Sequence, residues 1–345
     1  MLAYSDPRAL LRVSILLFAL LGGCQGQPGS MLRVLDLSSS PDGTTLVVSA
    51  FAMPRDGITL VYDCRTGRLV SETRERDLVQ KLLTWGPGAN RLLLIRGYAA
   101  PVLTPREGLF LVDPRRHTER LVGSLELLDR AVVSPDGQEI VYSVSEHVPG
   151  KPWDRMVTSS YRVPMESQFF TLDVPIVTGY EVIGVRRVVG PGYEIVLYRR
   201  VPSEVMRLHV PSGHRTTYRV PRLQRESWAL SPRGQGLAGI VEDSSGRRAL
   251  LLHLSKGNRR LSPPIWGTPT RTAWSADGRF LACFGGAGLT RVDGQTGRLT
   301  TLVSPRDDVT SCAWVGGGIV FPRGGQLLLV DSRGREHPFC TLPRH

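Results

Sequence analysis

The sequence predicts an all-β fold, a seven-bladed β-propeller built from four-stranded antiparallel blades. Three observations predict it: one turn motif recurs along the chain, two strand patterns follow each copy, and no segment after residue 31 shows a long helical period. A repeat of about 40–45 residues that holds four strands is typical of a propeller blade. Residues 31–343 are long enough for seven such repeats.

The recurring turn is Ser-Pro-Asp-Gly or a variant of it. Copies begin at Ser40, Ser134, Ser231 and Ser275, and glycine-rich variants occur at Gly86, Gly190 and Val315, with spacings of 40 to 56 residues. The structural residues of the best-preserved turns are Asp42, Gly43, Asp136, Gly137, Asp277 and Gly278. Asp-Gly favours a tight hairpin because glycine accepts a positive φ and aspartate caps its own turn. A six- or eight-bladed ring and a pair of β-sandwiches are the alternatives.

Two predicted strands follow each turn. The first set is Thr45–Ala50, Arg91–Gly97, Glu139–Ser145, Glu194–Arg199, Leu237–Glu242, Arg279–Phe284 and Ile319–Phe321. The second set is Ile58–Asp63, Leu109–Asp113, Phe169–Asp173, Val205–Val210, Ala249–Leu254, Leu289–Asp293 and Leu327–Asp331. Their continuous apolar runs are typical of strands that are buried on both faces.

Recurring residues at fixed blade positions predict structural roles. Aspartate ends most of the second strands, at Asp63, Asp113, Asp173, Asp293 and Asp331. We expect these side chains to cap turns instead of forming a catalytic carboxylate pair. Tryptophan precedes three turns, at Trp85, Trp274 and Trp314, and we expect these rings to belong to the core.

The Ser-Pro-Asp-Gly repeat resembles the TolB-type propeller repeat, a relative of WD repeats, over residues 31–343. The resemblance implies a propeller that binds through the loops of one face or through its central channel. The chain departs from TolB in one respect, because no α/β domain fits between Cys24 and Ser40. The resemblance therefore does not imply the role of TolB in the Tol–Pal system.

Residues 1–23 are interpreted as a lipoprotein signal peptide, and residues 24–30 as a lipidated Cys24 with a short tether. Arg8 and Arg12 precede a nine-residue apolar run, which is shorter than the roughly 20 residues that span a bilayer. The sequence Leu-Gly-Gly-Cys that ends at Cys24 resembles the bacterial lipobox. The alternatives are an uncleaved helix, an ordinary signal peptide, or a true start at Met31, which would make the protein cytoplasmic.

A lipidated Cys24 predicts a bacterial membrane-anchored lipoprotein on the periplasmic or extracellular side. Gln25 stands where an aspartate signals retention in the inner membrane, so an outer-membrane location is expected. The net charge of +12 comes from arginines that are scattered singly, without a basic run of five. We therefore expect a membrane contact through the lipid and a protein or cell-wall polymer as partner, and no nucleic acid.

Four cysteines remain in the mature chain, namely Cys64, Cys283, Cys312 and Cys340. They lack CxxC spacing and have no histidine at metal-ligand spacing, so no metal site is predicted. An exported location permits disulfides, and four cysteines allow three pairings. Cys283 and Cys312 lie in apolar strand patterns, which favours buried free thiols at these two positions.

The candidate contact site is a long loop at residues 147–167, which explains the widest spacing between turns. With shorter loops of blades one and two, it is expected to form a raised wall on the face opposite the Asp-Gly turns. Its candidate binding residues are His147, Lys151, Trp153, Asp154, Arg155 and Tyr161. Tryptophan, tyrosine and arginine are enriched in binding hot spots. The alternative is an insertion that the surface tolerates.

The sequence favours a non-enzymatic scaffold over an enzyme. It contains no Gly-x-Ser-x-Gly elbow, no HExxH motif and no phosphate-binding loop, so no catalytic residue and no cofactor are predicted. The alternative function is a propeller enzyme of the lactonase or lyase type with its site in the central channel. The predicted channel strands carry few acids, and Asp129 and Asp308 are the candidates for such a site.

Overall fold

A computed structural model describes residues 32–52, 56–76, 78–86, 91–98, 108–123, 128–147, 156–165, 175–224, 227–286, 288–304 and 309–343. Within these ranges the chain forms seven four-stranded antiparallel sheets, and each sheet uses four consecutive strands. The predicted seven-bladed propeller is therefore confirmed. Within the same ranges we find no helix whose length and hydrophobicity would let it cross a bilayer.

The first four blades are formed by the N-terminal part of the described chain. Blade 1 contains β1 (Arg33–Ser39), β2 (Thr45–Ala52), β3 (Asp56–Asp63) and β4 (Leu69–Arg76). Blade 2 contains β5 (Leu78–Trp85), β6 (Leu92–Tyr98), β7 (Gly108–Asp113) and β8 (Thr118–Gly123). Blade 3 contains β9 (Leu128–Val133), β10 (Glu139–His147), β11 (Met156–Pro164) and β12 (Val177–Thr178). Blade 4 contains β13 (Glu181–Arg187), β14 (Tyr193–Arg199), β15 (Glu204–Val210) and β16 (Arg215–Arg219).

The last three blades complete the ring. Blade 5 contains β17 (Ala229–Leu230), β18 (Gly236–Asp243), β19 (Gly246–His253) and β20 (Arg259–Leu261). Blade 6 contains β21 (Pro269–Trp274), β22 (Phe280–Gly285), β23 (Gly288–Asp293) and β24 (Leu299–Val303). Blade 7 contains β25 (Ala313–Val315), β26 (Gly318–Arg323), β27 (Gln326–Asp331) and β28 (Glu336–Thr341).

The first strand of each blade lines the centre of the ring. Neighbouring first strands contact one another around the whole ring, and β25 of blade 7 contacts β1 of blade 1. Because the strands alternate in direction, the turns between first and second strands lie on one face, together with the turns between third and fourth strands. We call this the turn face. The chain enters at Leu32 on the opposite face, the entry face, which also holds the connections between blades.

The buried apolar side chains of the described ranges form seven clusters, and each cluster joins two adjacent blades. In β2, Leu46 and Val48 pack toward blade 7, whereas Val47 packs toward blade 2. Successive side chains of a strand point to opposite faces of its sheet. A strand between two neighbouring blades therefore needs apolar residues at consecutive positions, which explains the continuous apolar runs.

Thirteen of the fourteen predicted strands coincide with observed strands, apart from shifts at their ends. The prediction of Phe169–Asp173 as a strand of blade 3 is wrong in its assignment, because β11 at Met156–Pro164 pairs with β10 instead. Residues 169–173 lie outside the described ranges. Polar residues at Thr158, Ser159 and Ser160 interrupt the apolar pattern of β11, and the Ser160 hydroxyl donates to the Tyr180 carbonyl at 2.8 Å.

The ring closes between blades 7 and 1 without a shared strand. Tyr62 of blade 1 and Phe339 of blade 7 meet edge to face, with 6.3 Å between ring centroids. Gly67 in the turn after β3 has a φ of +66°, and a Cβ at this position would lie 2.7 Å from the Phe339 carbonyl oxygen. Apolar packing therefore joins blades 7 and 1, and the close approach at Gly67 leaves no room for a side chain there.

Candidate functional site

The best-preserved turns of the turn face are closed by a serine and an aspartate. In blade 6 the Ser275 hydroxyl donates to Asp277 Oδ1 at 2.5 Å, and the Phe280 amide donates to Ser275 Oγ at 2.9 Å. Equivalent hydrogen bonds occur at Ser40 and Asp42 and at Ser134 and Asp136. These aspartates therefore accept hydrogen bonds within their own turns.

The turns between third and fourth strands are capped as expected. Four aspartates accept hydrogen bonds from backbone N–H groups that lie two to four positions later in the chain, namely Asp63, Asp113, Asp293 and Asp331. Asp173 lies outside the described part of the chain. The predicted tryptophans lie at joints between blades, where the indole N–H groups of Trp274 and Trp314 donate to carbonyls of the preceding blade.

Blade 7 departs from this pattern because its first turn is shorter. In blade 6, Trp274 pairs across the turn with Leu281, whereas in blade 7 the equivalent Trp314 pairs with Ile319. The turn consists of Gly316 and Gly317 alone, and it lacks the serine and aspartate that close the turns of blades 1, 3 and 6. The missing residues leave a notch in the turn face.

A cleft of about 410 Å³ lies over this notch. We call it the blade-7 cleft. Its lining combines aromatic, basic and acidic side chains from blades 1, 6 and 7, among them Asp42, Asp277, Phe280, Arg291 and Trp314. Its floor is the backbone of the glycine turn, and a Cβ on Gly316 would meet no atom within 4 Å.

The carboxylates at the edge of the blade-7 cleft are ionised at neutral pH. Burial alone would raise the pKa of Asp42, but the hydroxyl of Ser40 and the N–H and hydroxyl of Thr44 donate to it and lower the pKa below its usual value. The Ser275 hydroxyl and the Arg279 amide lower the pKa of Asp277 in the same way. Both groups therefore accept hydrogen bonds or attract cationic groups.

Aromatic and cationic groups stand between these carboxylates. Phe280 and Trp314 stack with 6.4 Å between their centroids and 19° between their planes. The guanidinium carbons of Arg279 and Arg291 each lie 4.9 Å from the Phe280 centroid. The Arg291 guanidinium also donates to the Ser332 carbonyl at 3.1 Å, which holds it at the cleft wall. The cleft therefore offers hydrogen-bond donors, acceptors and an apolar wall in one place.

A second cleft of about 290 Å³ lies on the turn face between blades 3 and 4. Its walls include Pro135, Asp136, Arg187 and Tyr193. The Tyr193 hydroxyl donates to Glu139 at 2.5 Å, and the Arg187 guanidinium donates to the Pro135 carbonyl at 3.0 Å. These hydrogen bonds use polar groups of the cleft to join the two blades.

Among the residues whose side chains the structure describes, Asp36 is an acid on β1, a strand that lines the central channel. Asp36 of β1 accepts the Leu37 amide at 3.0 Å and the Ser311 hydroxyl at 3.4 Å. Enclosure by the ring raises its pKa, and the charges of Arg271 on β21 and Lys81 on β5 oppose that shift only in part. Sequence reasoning missed Asp36, although an acid within the short apolar run of a first strand was a usable signal.

The predicted contact loop has a different structure from the one expected. Residues 156–164 form β11, so the expected continuous loop 147–167 is wrong. Tyr161 is buried in the core and stacks on Tyr142 with 5.5 Å between centroids, which leaves it unable to contact a partner. The backbone of His147 ends β10.

The other predicted residues of this loop, Lys151, Trp153, Asp154 and Arg155, lie outside the described ranges, as do Cys24 and Asp308. Asp129 lies within β9, where its backbone is described and its side chain is not. The structure therefore does not bring the predicted contact residues together as a site.

The four described cysteines are free. Cys283 packs between blades 5 and 6, and Cys312 packs between blades 6 and 7. Burial raises the pKa of both thiols. In the part of the chain that the structure describes, no group of three or more histidine, cysteine, aspartate or glutamate side chains is arranged to hold a metal ion.

These features define a seven-bladed β-propeller with a mixed polar and aromatic cleft on its turn face. No protein-family model and no curated protein sequence matches the chain.

Solved structures share the fold. The chain is similar to an oligogalacturonate lyase in complex with manganese, with a TM-score of 0.57 and 13% identity over 91% of this chain and 90% of that one. It is also similar to hydrazine synthase from Kuenenia stuttgartiensis, with a TM-score of 0.55 and 14% identity over 92% and 98% of the two chains. TolB from Acinetobacter baumannii is a weaker match, with a TM-score of 0.49 and 16% identity over 87% and 70%. Similarity at these identities supports the fold alone.

Proposed function

We propose that the protein is a lipid-anchored component of the bacterial cell envelope whose propeller binds a protein or polymer partner without catalysing a reaction. The observation that carries the proposal is the blade-7 cleft, which is built by a departure from the repeat. The lipobox at Cys24 supports the anchor, and Gln25 after it favours the outer membrane.

The composition of the blade-7 cleft supports binding of an extended chain. Asp42 and Asp277 accept hydrogen bonds, and Arg291 donates them. Phe280 and Trp314 supply aromatic contact area in the same cleft. Aromatic and arginine side chains dominate binding energy at many interfaces. A protein segment or a polysaccharide offers the matching amide, hydroxyl and apolar groups.

The position of the cleft also supports this role. It lies on the face opposite the entry of the chain at Leu32, so an anchor that precedes Leu32 leaves the cleft accessible. Three short turns from blades 1, 6 and 7 surround it. Functional residues of many proteins lie on loops that a rigid scaffold positions, as here.

The test is a crosslinking pull-down of the anchored protein from its own cells. It compares the parent chain with a variant in which a new side chain fills the blade-7 cleft. Gly316→Trp places a large ring at the cleft, at a position where a Cβ meets no atom within 4 Å. Gly97→Trp is the matched control, because its Cβ position is equally open and lies in β6, away from the cleft. Recovered proteins are identified by mass spectrometry, and recovered polymers by sugar analysis.

We expect the Gly316→Trp variant to lose a partner that the parent chain and the Gly97→Trp variant both retain. Identical recovery by all three chains would contradict binding at the cleft. Loss in both variants would contradict it as well, because the control leaves the cleft open.

A channel enzyme of the lactonase or lyase type is the second candidate, and one observation favours it. Asp36 has a raised pKa and faces Arg271, Lys81 and Ser311 in the channel. Such a carboxyl is able to hold a proton at a higher pH than an exposed aspartate does. A thermal-shift screen of lactones and acidic oligosaccharides, with and without divalent cations, tests it. A shift that Asp36→Asn abolishes would favour the enzyme, whereas no shift would favour the scaffold.

A further inference from the structure

Among the described residues, two large apolar side chains of the entry face are more than three-quarters exposed. Trp266 lies in the connection between β20 and β21 and is 81% exposed. Val201 lies between β14 and β15 and is 79% exposed. Among the described residues, the turn face exposes one large apolar side chain to a similar degree, Val189. An exposed tryptophan is unusual on a soluble surface and is common at the boundary between membrane and water.

The backbone fixes these side chains in place. The Ile265 amide donates to the Arg247 carbonyl at 2.7 Å, and the Ile265 side chain is buried, so the next residue, Trp266, points away from the blade. Near Val201, the Ser203 hydroxyl donates to the Pro221 carbonyl at 3.1 Å. Hydrogen bonds to the ends of blades 4 and 5 therefore hold the two connections that carry Val201 and Trp266.

Exposed arginines lie near Val201 on the entry face. Arg200 precedes Val201, and Arg222 follows Pro221, so both guanidinium groups lie at the same end of blade 4. We call Arg200, Val201, Arg222 and Trp266 the entry patch. It combines an interfacial aromatic residue with two positive charges, which matches the surface of a membrane with anionic head groups.

The nearby acids do not cancel this charge. Glu204 begins β15 on this face and pairs with Arg199. Glu242 and Asp243 end β18 on the same face, and they pair with Arg247 at 3.5 Å and Arg248 at 3.3 Å. Since these three acids pair with other arginines, they do not neutralise the two charges of the entry patch.

The length of the tether restricts how the propeller meets the membrane. Eight residues separate Cys24 from Arg33 at the start of β1, and they reach at most about 30 Å. To reach the turn face around the outside of a blade, the tether has to cross the four strands of the blade, about 14 Å, and then follow the length of a strand, about 23 Å. This distance exceeds the reach, so a lipid on Cys24 keeps the turn face away from the membrane by this route and leaves the entry face the nearer of the two.

We infer that the entry patch lies against the anionic head groups of the membrane that holds the lipid anchor, and that the turn face points away from it. This inference rests on the lipidation of Cys24 in the proposed function. The lipid and the patch then act as two attachments, and a single acyl chain gives only weak binding without a second one. The orientation leaves the blade-7 cleft open to its partner.

The test is cysteine labelling of the full chain in membranes isolated from its own cells and opened by freezing and thawing. Trp266→Cys reports on the entry patch, and Val189→Cys is the matched control on the turn face. The parent chain gives the background, because its described cysteines are buried or half-buried. A membrane-impermeant maleimide is applied before and after the membranes are dissolved in detergent.

We expect the cysteine at 266 to react several-fold more slowly than the cysteine at 189 in membranes, and both to react equally in detergent. Equal rates in membranes on a lipidated chain would overturn the orientation and leave the proposed function intact. Protection at 266 that persists in detergent would indicate a protein partner and would also overturn it. A maleimide-reactive Cys24 on a chain that washes off the membrane would contradict both proposals.

Discussion

A buried carboxylate in blade 4 is expected to stabilise the joint between blades 4 and 5. Glu194 Oε2 lies 2.6 Å from Arg186 Nε, and Glu194 Oε1 lies 2.6 Å from Arg207 Nη2. The same arginines reach blade 5, where Arg186 donates to the Gly234 carbonyl at 3.1 Å and Arg207 donates to the Leu254 carbonyl at 2.7 Å. Glu194→Gln removes the negative charge between them and keeps the size of the side chain.

The expected loss follows from the burial of this network. The side chains of Glu194, Arg186 and Arg207 are only 10%, 11% and 15% exposed. Removal of one partner from a buried ion pair destabilises a protein by about 3–5 kcal/mol. Arg207 keeps its bonds to the Leu254 carbonyl and the Tyr218 hydroxyl, so the lower end of that range, about 3 kcal/mol, applies. At about 2 °C per kcal/mol, the melting temperature falls by about 6 °C.

Thermal unfolding at neutral pH, followed by calorimetry, measures this loss. Glu242→Gln is the matched control, because Glu242 is 59% exposed and its contact with Arg247 is 3.5 Å long. An exposed pair of this kind contributes about 0–1 kcal/mol. A loss for Glu194→Gln below about 1 kcal/mol, or no larger than that of the control, would refute the argument.

The same network predicts a dependence on pH. Burial alone would raise the pKa of Glu194, but hydrogen bonds and charges from Arg207 and Arg186 lower it below its usual range. A carboxyl with a lowered folded pKa contributes stability above its unfolded pKa, and this contribution is lost as the pH falls through the folded value. The difference between parent and variant therefore shrinks in acid. A difference that stays constant with pH would contradict this account.

Three further predictions concern strained backbone and buried thiols. His117 has a φ of 54°, so His117→Gly relieves a left-handed conformation and raises the free energy of unfolding by about 1 kcal/mol in chemical denaturation. Gly67→Ala lowers it by at least about 2 kcal/mol, because the new Cβ meets the Phe339 carbonyl at 2.7 Å and the φ is positive. Cys283 and Cys312 stay unreactive toward a thiol reagent at pH 8 until the chain unfolds, since burial raises the pKa of both.

Controls separate these effects from general sensitivity. Gly97→Ala lies in an open position without a positive φ, and its effect is expected to be within about 0.5 kcal/mol. A loss for Gly67→Ala equal to that of Gly97→Ala would contradict the close approach. A lower free energy of unfolding for His117→Gly would contradict the first prediction. Reaction of Cys283 or Cys312 with the reagent while the chain is folded would contradict the third.

Local chemistry allowed the sequence to predict the repeat and most strands. The Ser-Pro-Asp-Gly turns and the capping aspartates act through hydrogen bonds within a few residues, so their outcome is readable in the sequence. Strands between neighbouring blades need apolar residues on both faces, which gives continuous runs. Blade 3 was the exception, since β11 satisfies its polar residues across the sheet, and the pairing of Ser160 with Ser143 is not visible along the chain.

The candidate cleft and the channel acid required the tertiary structure. The sequence by itself marked the blade-7 turn as a glycine-rich variant of the repeat, whereas its length of two residues follows from the pairing of β25 with β26. It did not determine that Asp42 lines the same cleft, since Asp42 lies more than 270 residues away along the chain. Closure of the ring brings blade 1 beside blade 7, and only that closure creates the cleft. A local pattern fixes a turn, whereas a site built by packing of distant blades depends on contacts that sequence spacing does not encode.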